Sequence, residues 1–243
     1  MRGKFEGIAN VIRFNWHFYL LAAIFILLGA ISPIYLPSQY WAYAVGFSLL
    51  ILVTTLCSVV VTFYVYDRSS LYQFNWLNQF REANRIYNVH AGFDESSESL
   101  QQKFTKSTVI PLDFYPLLKN PEVSITRARK ISKSHPATIV IQKLPFADQL
   151  PEAGFILCLL SAHELRDAKQ RTIFFQELKR LKKPESQLVV VEHLRDLPNF
   201  LAYTVGFLHF HTRATWLKTF KQAKLEVIAE KKHTPFLTIF YLR

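Results

Sequence analysis

The sequence predicts an α/β domain with a mainly parallel sheet, carried behind a pair of transmembrane helices. Three observations point that way. No Asp, Glu, Lys or Arg occurs from Phe14 to Tyr66, and crossing the hydrocarbon core of a bilayer takes about 20 apolar residues. After residue 85, short apolar runs alternate with charged stretches of helical spacing, the order of βαβ units. Half of the 243 residues are hydrophobic and 15% are aromatic, enough for a lipid-facing segment and one domain core together.

The apolar interval holds two spans, residues 16–36 and 41–66, separated by Pro37, Ser38, Gln39 and Tyr40. Trp16, Trp41 and several tyrosines stand near their ends, where amphipathic rings favour the headgroup zone. Residues 1–66 therefore read as a helical hairpin. A cleaved signal peptide competes poorly, because the first run is long, lacks a small-residue cleavage site and is followed by a second run. Arg2, Lys4 and Arg13 precede the hairpin and Arg68, Arg81 and Arg85 follow it, while its loop has no basic residue. The positive-inside rule then puts both termini and the α/β domain on the cytoplasmic side of an integral membrane protein. Residues 67–84 form a juxtamembrane linker, in which Leu71 to Leu77 reads as an aromatic collar at the interface or as a continuation of the second helix.

The net charge is +11, and residues 1–66 hold only Arg2, Lys4, Arg13 and Glu6, so nine of the eleven charges fall on the soluble part. A basic domain beside an anionic leaflet gains about 1 kcal/mol per Lys or Arg near the surface. The lipid bilayer is thus the expected partner. Basic and aromatic residues are not interleaved as RNA binding would require, and no nucleic acid is expected. Cys57 and Cys158 make neither a disulfide framework nor a zinc-knuckle spacing.

Strands are expected over residues 86–90, 108–113, 138–142, 155–160 and 188–193, with helices over 95–104, 123–133 and 169–181 between them. A helix over 212–224 then precedes two β-rich runs, 225–230 and 236–242, divided by a turn over 231–235 and suited to an antiparallel closing pair. Three segments in order carry a resemblance. They are Leu144-Pro145-Phe146-Ala147-Asp148, Leu159-Leu160-Ser161-Ala162-His163-Glu164-Leu165, and residues 175–184, FQELKRLKKP. Residues 85–243 resemble the class I S-adenosylmethionine-dependent methyltransferases, and the same run is similar to their quinone and lipid branch. The resemblance implies a Rossmann-like, mainly parallel seven-stranded sheet with an antiparallel closing strand, and S-adenosylmethionine as cofactor.

It also implies a cofactor site of Asn88, His90, Gly92, Asp94, Asp113, Gln142 and Ser161. Asp113 stands where the family's ribose-binding carboxylate ends the second strand, and Gly92 keeps one glycine of the first turn. His90 and Asp94 replace glycines there, Asn88 replaces an acid, Gly154 falls where an aspartate is common, and Glu185-Ser186 fills a turn usually made by two glycines. Asp94 also suits the cap of the following helix.

For the acceptor side, His163 after the fourth strand and Glu192-His193 after the fifth are the candidate base or orienting residues, because imidazole titrates near neutrality and strand tips border one crevice. Arg166, Arg195 and Asp196 read as surface ion-pair partners. Residues 197–212 are uncharged but too short for a third span, and form either an apolar roof over the crevice or a core helix with His209 and His211 at its polar end. His193, His209 and His211 lack metalloenzyme spacing, so no metal is expected. The leading expectation is a membrane-tethered methyltransferase acting on a small lipophilic acceptor, quinone- or lipid-like. The alternative is a non-catalytic module of the same fold that binds a nucleotide-like ligand or a protein at the membrane.

Overall fold

The computed structural model describes residues 3–80, 82–132 and 135–243. Arg2 and Arg81, counted for orientation, and Lys133, the expected end of a helix, lie outside the described residues. A short helix, α1 (Glu6–Phe14), leads into α2 (Trp16–Tyr35) and α3 (Trp41–Phe63). At 1.5 Å per residue α2 and α3 measure about 30 and 35 Å, long and apolar enough to cross a membrane. Only 11% of each apolar stretch is buried in the protein, so neither is a core helix. The two pack where Gly29 meets Ser48: a Cβ on Gly29 would fall 1.6 Å from Ser48 Oγ. Such small-residue contacts let helix backbones approach closely where lipid offers no hydrophobic drive between them. At the foot of the hairpin, Asp67 accepts hydrogen bonds from the amides of Gly7 and Ile8, 2.8 Å each, pinning the start of α1 to the end of α3.

The sheet has seven strands: β1 (Arg85–His90), β2 (Thr108–Asp113), β3 (Ile139–Val140), β4 (Ala153–Leu159), β5 (Lys182–His193), β6 (Val227–Thr234) and β7 (Leu237–Leu242). Their order is β3-β2-β1-β4-β5-β7-β6. β1 to β5 run parallel, and β7 is antiparallel to both β5 and β6. The middle strands are buried on both faces, which is why they read as continuous apolar runs and not as an alternation. One face, with Tyr87, Val89, Ile156 and Val190, packs on Phe174, Phe175 and Leu178 of α6 (Ala168–Leu181) and on Trp216 and Phe220 of α8 (Arg213–Gln222). The other, with Ile86, Phe155, Leu157 and Val191, packs on Leu100 of α4 (Ser97–Lys103) and on Leu71, Phe74 and Leu77.

Those last three residues correct the expected collar. Leu71, Phe74 and Leu77 are buried under the sheet and not laid on an interface. Nor does α3 continue through them, because Ser70 and Phe74 take left-handed backbone, φ 59° and 54°, which ends a helix. Two turns also move. β6 runs through Thr234, so the charged stretch read as a turn over 231–235 is mostly strand, an exposed edge whose lysines face solvent. Glu185-Ser186, read as a turn, lies inside β5, where the register with β4 shifts.

Candidate functional site

The carboxyl ends of the parallel strands form two poles. At the first, His90 ends β1 in register with Asp113 at the end of β2. The chain then turns at Gly92, φ +89°, a conformation that disfavours any side chain. A Cβ there would lie 2.8 Å from Arg129 Nη1 and 2.9 Å from Tyr115 Cδ2. Arg129 comes from α5 (Val123–Ile131); it donates to Asp113 Oδ2 at 2.6 Å and lies 4.3 Å over the Tyr115 ring. Asp113 Oδ1 also accepts from the Tyr115 amide at 2.9 Å.

The departures from the family turn have a local cause. Asp94 Oδ1 accepts from the amides of Ser96 and Ser97, at 3.1 and 3.0 Å, where α4 begins. Asn88 donates to Asp94 at 3.1 Å and to the hydroxyls of Ser96 and Ser97 at 2.8 Å. Side-chain bonds thus shape a turn that glycines usually shape by backbone freedom. His90 is 7% exposed and neither ring nitrogen has a partner. Burial lowers its pKa; Asp94 and Asp113 oppose that shift and Arg129 adds to it. His90, Gly92, Asp94, Asp113, Arg129 and Val140 line a cavity of about 180 Å³.

Two expected cofactor residues serve otherwise. Gln142 lies past the end of the two-residue β3, exposed and away from the cavity, which Thr138 and Val140 line instead. The Ser161 hydroxyl is buried and donates to the Val89 carbonyl at 2.8 Å, tying β4 to β1. A larger hollow of about 770 Å³, lined by Phe80, Arg85, Glu152 and Lys183 among others, sits at the amino ends of the strands. Open α/β sheets hold ligands at the other end.

The first pole rests on the hairpin. Phe93, beside Gly92, packs edge-on against Phe14 at 5.1 Å. Arg127, two residues before Arg129, donates to the Phe14 carbonyl at 2.8 Å and lies 5.3 Å over Trp16 at the base of α2.

The second pole, at the tips of β4 and β5, gathers acids and imidazoles. His163 Nδ1 is 2.6 Å from Glu192 Oε2, and its Nε2 is 3.5 Å from Glu164 Oε1. His209 Nε2 is 3.6 Å from the same Glu164 oxygen, and His209 Nδ1 contacts Glu122 Oε1. Arg166 bonds that Glu122 oxygen at 2.7 Å. Burial disfavours an imidazolium at His163, but Glu192 and Glu164 overcome it and push its pKa up to about 10. Burial likewise resists ionisation of Glu164, whose pKa is nevertheless held well below the usual range by His163 and His209. Both acids favour the protonated form of His163 and hold its ring in place.

His193 is not part of that cluster. Its Nδ1 faces Asn199 Oδ1 at 2.9 Å and the Phe236 carbonyl at 3.1 Å, its Nε2 faces the Tyr66 hydroxyl at 3.2 Å, and its ring stacks on Phe210. Burial lowers its pKa to about 4. It is a neutral core histidine. The sequence reading missed Arg129, Tyr115 and Glu122, because each reaches its pole from a loop or helix with no fixed spacing from the strand tips.

Residues 197–212 split into α7 (Leu197–Tyr203) and a 3-10 turn, Thr204–His209. α7 packs on α3, and Cys57 Sγ lies 3.6 Å from the Leu201 carbonyl. Leu197, Leu201, Val205 and Leu208 are more than half exposed beside this apolar helix, so the segment is no core helix.

No protein-family model matches the chain, and no curated protein resembles it in sequence. Solved structures do. A SAM dependent methyltransferase from Aquifex aeolicus superposes with TM-score 0.50 at 18% identity, over 72% of this chain and 93% of that one. The mitomycin 7-O-methyltransferase MmcR gives TM-score 0.54 at 13% identity, over 100% and 73%. Human N-acetylserotonin methyltransferase, solved in complex with SAM, gives 0.52 at 14%, over 93% and 66%. At these identities the likeness is one of fold: the chain has the class I methyltransferase architecture.

Those neighbours make S-adenosylmethionine the ligand to test against the first pole. The unpartnered nitrogens of His90, the side-chain-free backbone at Gly92 and the carboxylate of Asp113 suit it. The volume does not suit it as it stands, because small-molecule pockets run about 300–1,000 Å³ and this cavity, with Arg129 in its lining, holds about 180 Å³. Arg129 is 36% exposed and sits on a flexible stem. The donor set fits the cofactor, and Arg129, hydrogen-bonded to Asp113, is the side chain that would have to move to admit it.

Proposed function

From a methyltransferase fold set against two apolar helices, we propose a membrane-tethered S-adenosylmethionine-dependent methyltransferase acting on a small lipophilic acceptor. The observation that carries this reading is the juxtaposition of Gly92, Asp113 and the unpartnered His90 on adjoining strand tips. When bound, the cofactor supplies an electrophilic methyl group. Asp113 would accept from its ribose hydroxyls and Gly92 would let the backbone approach its amino-acid part, for which Arg129 would have to leave Asp113. Transfer of this kind is a direct displacement, so the protein mainly aligns the partners and keeps water out. A base is needed only where the acceptor must lose a proton.

In this reading the acceptor enters beside α7, which packs on α3 and leaves Leu197 and Leu201 exposed. The tether and the basic surface keep the domain on the cytoplasmic leaflet. Methyl-labelled S-adenosylmethionine added to the chain in vesicles of membrane lipid extract tests the reading. Label is expected in the organic phase with the wild type and lost with Asp113→Ala. Absence of transfer together with absence of cofactor binding would sink it. The Arg129 to Asp113 pair favours a second reading, a non-catalytic module whose pole stays closed; there Arg129→Ala binds no cofactor either.

A further inference from the structure

We propose that the second pole is a binding site for a divalent transition ion of the zinc kind, held by His163 Nε2, Glu164 Oε1 and His209 Nε2. The proposal does not depend on the cofactor reading. The three donor atoms lie within 4.8 Å of one another, and both imidazole nitrogens are 3.5 to 3.6 Å from the carboxylate oxygen. Zinc bonds to such donors of about 2.0–2.2 Å, at the tetrahedral angle, put neighbouring ligand atoms about 3.4 Å apart. Two edges of the coordination polyhedron are therefore already of the right length.

The orientation of the rings is the second argument. Metal-bound histidines characteristically donate their other ring N–H to a carboxylate, which fixes the tautomer and turns the lone pair toward the ion. Here both do. His163 Nδ1 faces Glu192, whose other oxygen accepts from the His163 amide at 3.2 Å. His209 Nδ1 faces Glu122. Arg166 also crowds His209 Nδ1, but a guanidinium only donates, and Glu122 Oε1 accepts from it at 2.7 Å. That carboxylate is the shared acceptor, and Nε2 of His209 keeps its lone pair. Two carboxylate-held imidazoles from sequence positions 46 apart, aimed at one carboxylate, exceed what an ion-pair network needs.

Three protein ligands leave a fourth position for water or for an acceptor oxygen. In the methyltransferase reading, and only there, the ion would lower the pKa of an acceptor hydroxyl at that position, which would give its proton to solvent water before taking the methyl group.

The test is equilibrium dialysis of the full chain in detergent against Zn²⁺, with Co²⁺ absorption as a geometric readout. One ion per chain is expected, with the visible bands of four-coordinate cobalt. Glu164→Gln keeps the shape of the side chain, and His209→Gln alters a partly exposed residue; both lose the ion while unfolding cooperatively. Glu192→Gln weakens binding by about 10–100-fold, the usual effect of removing an outer carboxylate. His233→Gln, remote and bonded to the Ser69 carbonyl, retains it. Failure to bind stoichiometric zinc or cobalt, or unchanged binding in His209→Gln, would overturn the site.

Discussion

At the tips of β1 and β2, one charge pair spans the gap where a ligand would lie: Arg129 lies between Asp113 and Tyr115, and about 180 Å³ of space is left. At the tips of β4 and β5, three carboxylates, Glu122, Glu164 and Glu192, surround two imidazoles, and Glu164 and Glu192 are almost wholly buried. The first pole is narrowed by one partly exposed side chain, Arg129, held by Asp113 and Tyr115. The second is fixed by buried charges whose geometry cannot relax without leaving one unpaired. One sheet edge thus combines a displaceable plug with a rigid charged cluster.

Breaking the rigid pole has the largest expected effect. Glu192→Ala strands the His163 imidazolium without its nearest acid, and removing one partner of a buried pair costs about 3–5 kcal/mol. Thermal or denaturant unfolding measures it; a loss under about 1 kcal/mol would mean that the cluster is solvated.

The neighbouring His193 sharpens the comparison through pH. Its folded pKa of about 4 lies below the ordinary value of 6.5, so the unfolded chain takes up a proton first as pH falls. Its contribution is complete above pH 6.5 and is lost progressively as pH drops toward 4, by on the order of 3 kcal/mol. Unfolding of His193→Gln across that range should show a shallower acid slope than the wild type. Equal slopes would mean that His193 is not buried neutral.

Much of the architecture was legible because it rests on local signals. The uncharged interval from Phe14 to Tyr66 showed two apolar helices, and the doubly buried strands showed as apolar runs. The pairing of Glu192 and His163 was half legible: strand tips adjoin, so both were candidates, but their proton equilibrium depends on burial that spacing does not reveal. Arg129 and Glu122 were illegible, since a side chain on a crossover helix can reach several strand tips. The segment from Leu71 to Leu77 misled because aromatic density at a membrane exit looks the same whether the rings face lipid or a sheet.

At the displaceable pole the effects are smaller. Gly92→Ala puts a side chain on a residue with φ +89° and against Arg129 and Tyr115, and such strain costs about 1–3 kcal/mol. A melting temperature unchanged by this substitution would argue that the turn is looser than described. Arg129→Ala takes the ion-pair partner from the buried carboxylate of Asp113, and a buried acceptor left short of a partner costs about 1–3 kcal/mol. Its melting temperature should fall modestly, while its ligand binding should strengthen.

That contrast makes calorimetric titration of S-adenosylhomocysteine into the wild type and Arg129→Ala the most direct test. The account predicts that the variant binds at least tenfold more tightly, because the ligand no longer displaces the guanidinium from Asp113 and Tyr115. Binding by neither protein, or weaker binding by the variant, would contradict a cleft that Arg129 holds shut.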